Sequence, residues 1–105
     1  MNIPASVKIG SAVCEVRVTD TVQSIGGDDV LGYSRGSNGH IDVARNWLNE
    51  PCPEEVMADT FLHECLHVAN NNMGLGLSER QVCGVTACVM MLIRDNNLDF
   101  RVPEL

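Results

Sequence analysis

The hydrophobic period changes halfway along this 105-residue chain, and that change sets the fold class. Before "NEPCPEE" (residues 49–55) the apolar residues fall in short strand-like runs; after it they recur at helical spacing. A β-prone first half followed by a helical second half reads as α+β. The length suits one core and little more, so residues 1–105 are expected to form a single domain.

In "AVCEVRVT" (12–19), Cys14, Val16 and Val18 alternate with Glu15, Arg17 and Thr19, giving one apolar and one polar face. "SVKIG" precedes it, with Gly10 and Ser11 as the turn. "SIGGDD" reads as a loop. "VLGYS" and "HIDVA" flank "RGSNG", a hairpin connection. The expectation is a small twisted antiparallel sheet of three or four strands.

The second half predicts two main helices. The first runs from about Pro53 to about Asn72, with Glu54 and Glu55 suited to the positive end of the helix dipole. Ala58, Leu62, Cys65 and Ala69 form a stripe, widened by Phe61 and Val68. Gly74 suits the helix end. Ser78 is a natural N-cap for the second helix, 79–95. Its expected core face is Val82, Val85, Val89, Leu92 and Ile93, with Met90 alongside. Leu98 and Phe100 offer apolar anchors for the tail.

Charge narrows the functions. The net charge is −7 and Lys8 is the only lysine, which argues against nucleic acid or an anionic membrane as the main partner. The five cysteines form no CxxC pair, and "MNIPASVKIGSAV" lacks the pattern of a signal peptide. A reducing cytoplasm is the expected setting, with cysteines as small buried hydrophobes.

The chemistry concentrates in "TFLHECLHVANN", residues 60–71. Positions four apart on a helix differ by about 40° around its axis, so His63 and His67 project side by side. Two imidazoles so placed can bind one zinc ion. Glu64 lies on the adjoining face, where a carboxylate can act as general base on water. The simpler alternative is a helix carrying two histidines by chance. The apolar neighbours Leu62, Cys65 and Leu66, which seat the helix on a core, favour the zinc reading.

A catalytic zinc usually has three protein ligands. Glu79 is the first choice for the third, because a short turn brings the next helix back towards His63 and His67. His40, Asp42, Asp59 and Asp95 are rivals. Asp59, one turn before His63, is either a hydrogen-bond partner for an imidazole or an exposed carboxylate. His40 and Tyr33, the only tyrosine, are candidates for oxyanion stabilisation, although a solvated His40 is simpler. Cys65 and Cys83 read as core residues rather than extra ligands.

"TFLHECLHV", followed by "LSERQV" and "LIRDN", resembles the small HExxH zinc metallopeptidases of phages and mobile elements, similar to the ImmA/IrrE-type and minigluzincin groups. "IPASVKIG…CEVRV" resembles their N-terminal strands. The resemblance implies a minimal gluzincin-like fold, with His63, His67 and Glu79 as zinc ligands and Glu64 as general base. It also implies that the strand around "HIDVA" aligns an extended peptide by strand addition. The expected activity is therefore zinc-dependent cleavage of a protein or peptide substrate, in the host cytoplasm if the chain is phage-encoded. Two other readings are a zinc-binding interaction protein without useful turnover and a metal-free interaction domain.

Overall fold

The computed structural model describes residues 3–35 and 39–97, in which eight short strands precede two helices. Strand β1 (Ser6–Ile9) turns at Gly10, whose φ of +61° is one that glycine adopts without steric cost, and returns antiparallel as β2 (Ala12–Thr19). The alternation in β2 is as expected. Cys14 and Val16 are buried and Val18 half-buried, while Glu15, Arg17 and Thr19 are exposed.

Two short strands, β3 (Val22–Gln23) and β4 (Asp29–Val30), pair around the "SIGGDD" loop. Strand β5 (Gly32–Ser34) then pairs antiparallel with β6 (His40–Ala44), as the hairpin reading required. The middle of that connection, residues 36–38, lies outside the described residues, as do Leu98 and Phe100.

One expectation fails. The sheet is mixed, in the order β1-β2-β6-β5, because β2 and β6 run parallel from Glu15↔His40 to Thr19↔Ala44. A parallel pair needs a crossover of about a dozen residues or more, and residues 20–39 supply it. The central position suits β6, whose Ile41, Val43 and Ala44 are all buried. Strands β7 (Asn46–Trp47) and β8 (Glu50–Pro51) form a small hairpin at the point where the hydrophobic period changes, which the sequence reading did not include.

Helix α1 (Glu54–Met73) packs on one face of the sheet. Cys14, Val16, Ile41, Val43 and Val68 form the core, with Met57, Phe61 and Cys65 against it. The expected stripe is only partly right. Ala58 and Val68 are buried, but so are Thr60 and Glu64, while Leu62, Cys65 and Ala69 are half-buried. The sheet and α2 cover α1 from two sides, so burial spreads around it.

The α1 end fixes the approach of the next helix. Gly74 adopts the left-handed conformation and its N–H donates to Asn70 O. The Asn70 side chain then clasps the turn. Its Nδ2 donates to Leu77 O (2.9 Å), and its Oδ1 accepts from Leu77 N (2.8 Å). Ser78 follows as N-cap of α2 (Glu79–Asn96). Its hydroxyl accepts from Gln81 N, and its own N–H donates to Gln81 Oε1.

Helix α2 meets α1 through a narrower face than expected. Val82, Thr86 and Met90 are buried and Val89 and Ile93 half-buried, but Val85 and Leu92 are exposed. No other element covers the far side of α2 among the described residues, so an apolar position there stays open to solvent. Thr86 is buried with no hydrogen-bond partner for its hydroxyl. Thr86→Val keeps the shape and removes that stranded group. It is expected to stabilise the protein by about 1 kcal/mol, read as a higher urea midpoint. An unchanged or lower midpoint would show that the hydroxyl is satisfied.

Candidate metal centre

The clasped turn and the Ser78 cap bring the first residue of α2 back to the middle of α1. His63 Nε2 lies 2.9 Å from Glu79 Oε1, and His67 Nε2 lies 2.7 Å from Glu79 Oε2. The two Nε2 atoms are 3.0 Å apart. The rings meet edge to face, with centroids 4.7 Å apart. Of the residues considered for the third position, Glu79 is the one brought to both imidazoles. His40 instead meets Asp42 (3.2 Å), Asp95 meets Arg94 (2.9 Å), and Asp59 is exposed on the rim.

These three contacts are hard to satisfy with protons. Each Nε2 has one in-plane position, holding either a proton or a lone pair. Two N–H groups aimed at Glu79 would face each other across 3.0 Å. A proton shared between the imidazoles would leave one nitrogen lone pair against a carboxylate oxygen. Protons therefore serve two of the three contacts, whereas one shared cation would serve all of them. Two imidazoles and a carboxylate also match the donor chemistry of a His₂Glu zinc site.

The cluster opens on a cavity of about 600 Å³, bordered also by Gly32, Ser34, Thr60 and Asn71. Glu64 lies on this cavity and is only 8% exposed. Burial raises its carboxyl above the ordinary value of 4.5. A hydrogen bond from Ser34 and the positive charge of the neighbouring histidines, when protonated, oppose that rise. Ser34 was not singled out from sequence, because nothing local links a strand serine to a glutamate thirty residues away.

Gly32 is a second missed residue. A Cβ there would stand 2.5 Å from Thr60 Cγ2, 3.1 Å from Glu64 Cγ and 3.2 Å from Asp42 O. Only glycine lets β5 lie this close to α1. The hint was available, since a glycine inside a strand run often marks close backbone approach. Gly32→Ala is expected to cost about 1–3 kcal/mol of stability, measured by urea unfolding. Wild-type stability in that variant would show that Thr60 yields freely.

Several sequence expectations change here. The Gly32 contacts put that residue on the α1 side of the sheet, so strand alternation starts the Tyr33 side chain on the opposite face. Tyr33 is paired there with Asp42, which also binds Arg17 (2.8 Å) and His40. Tyr33 nonetheless borders the same cavity as the two imidazoles, whereas His40, which meets Asp42, is not among the residues that line it. The "HIDVA" strand is paired on both sides and has no edge to offer a peptide. The edge on the cavity side is β5. Leu31 O and Arg35 N bond inward to Ala44 and His40, so alternation turns the backbone groups of Gly32 and Ser34 outward.

The two cysteines also part company. Cys65 packs against the core, and burial, with Cys14 and Glu64 adding to it, pushes its thiol up to about 12. Cys83 is exposed instead, because it lies one turn beyond Glu79 on the side of α2 that faces the cluster. Its Sγ is 3.6 Å from Glu79 Oε1.

Comparison with protein-family models, with curated proteins and with solved structures finds no match. No helix among the described residues is long and apolar enough to cross a membrane.

Proposed function

We propose that this chain is a zinc-dependent peptidase that cuts an extended stretch of a protein substrate. The observation that carries the reading is the convergence of His63, His67 and Glu79 within 2.7–3.0 Å, beside a buried carboxyl on an open cavity. His63, His67 and Glu79 would hold the metal. Zinc, when bound, polarises a scissile carbonyl and acidifies water. Glu64 takes the proton of the attacking water and returns it to the leaving amine. Its raised pKa brings it closer to neutral pH, where such transfer is efficient. Ser34 holds the carboxyl in place. The outward backbone groups of Gly32 and Ser34 align the substrate by strand addition. On this reading the chain is a minimal gluzincin-like domain acting in a reducing cytoplasm.

A second reading, a zinc-holding interaction protein without turnover, draws on the closeness of Cys83 to the donor cluster. Metal analysis after purification without added zinc tests the part common to both. Close to one zinc per chain is expected. No zinc, with none taken up on addition, would remove both readings.

A further inference from the structure

A thiol stands beside two of the three donors, His63 and Glu79, and neither the core nor the proposed reaction uses it. Cys83 follows Glu79 by four residues, so the two side chains share one face of α2. Its Sγ, a carboxylate oxygen of Glu79 and a ring nitrogen of His63 all lie within 4.8 Å of one another. The 3.6 Å separation of Sγ from Oε1 is close to that of sulfur and oxygen bound to one tetrahedral ion, given bonds of about 2.3 and 2.0–2.2 Å. The side chain is exposed, so no packing resists a small rotation. An exposed cysteine merely donating to a carboxylate would share part of this geometry, but it needs no histidine nitrogen within reach.

Given that His63, His67 and Glu79 hold zinc, we propose that Cys83 is a fourth, displaceable ligand that closes the site and keeps the protein latent. A structural zinc site is closed by four protein ligands, whereas a catalytic one keeps a position open. Thiolate is a soft donor that zinc accepts readily. On closure the Cys83 thiolate would replace the water at the open position, the thiol proton passing to solvent, and the place needed by a substrate carbonyl would be filled. A substrate entering along β5 would reverse the exchange, and Cys83 would take back a proton as it leaves.

Cobalt(II) substitution tests this without a substrate. Apo wild type and Cys88→Ser, which changes the other exposed thiol of α2, are each expected to bind one cobalt and show a near-ultraviolet sulfur-to-cobalt charge-transfer band. Cys83→Ser is expected to bind one cobalt and lose that band. Wild type binding one cobalt without the band, or Cys83→Ser keeping it, would overturn the fourth ligand and leave the three-ligand reading intact. No stoichiometric cobalt in any of the three proteins would overturn the metal reading itself.

Discussion

His67→Ala should give a folded protein that holds no zinc. On the proposed function His67 supplies one of three donors, and the two that remain come from different helices. The His67 side chain is 31% exposed, so its truncation should cost the metal-free protein about 1 kcal/mol, the ordinary size for a point substitution. The expected signature is a difference in response to a chelator. With free zinc a hundredfold above its Kd, binding stabilises the wild type by about 2.7 kcal/mol. For a domain of this size that is roughly 10–20 °C in Tm. Chelation should remove that increment from the wild type and leave His67→Ala unmoved. One zinc per chain retained by the variant would remove His67 from the ligand set.

Glu64→Gln should keep zinc and lose cleavage by about 10²–10⁴-fold, the usual contribution of a positioned general base. The amide has nearly the shape of the carboxylate and can still accept from Ser34, but it cannot carry a proton. The assay is release of new amino termini from a mixed peptide library. Equal release by wild type and variant would sink the mechanism. The same substitution has a pH signature in the metal-free protein. Burial raises the Glu64 pKa above 4.5, so the folded state binds its proton more tightly than the unfolded chain. The stability associated with Glu64 is therefore present below pH 4.5 and is lost as pH rises through the folded value. Glu64→Gln should be the more stable protein at pH 7, with the gap closing below pH 4.5.

Much of the helical half was legible because its signals are local. The Ser78 cap, the Gly74 stop and the four-residue spacing of His63 and His67 all act within a few residues. The return of Glu79 followed from the same short turn. The parallel pairing of β2 with β6 was not legible, because alternation says which face a strand buries and not which neighbour it takes. Ser34 and Gly32 were missed on separate grounds, because their partners on α1 are distant in sequence. The face of α2 was misjudged in another way. Val85 and Leu92 have helical spacing, but spacing does not reveal that, among the described residues, α1 is the main element packed on α2 and leaves these two exposed.

The parallel pair also divides the site by sequence distance. His63, His67 and Glu79 belong to one helical hairpin, within 16 residues of one another. The surroundings of Glu64 depend on β5, which is held by a sheet whose central contacts join positions 25 apart, such as Arg17 and Asp42. Contacts of low sequence separation form early because closing a short loop costs less entropy. The donor trio can thus assemble while the chain is still collapsing, whereas the pocket around the carboxyl must wait for the sheet. On the proposed function, a lesion confined to β5 would therefore disturb the surroundings of Glu64 while sparing the contacts among the three donors.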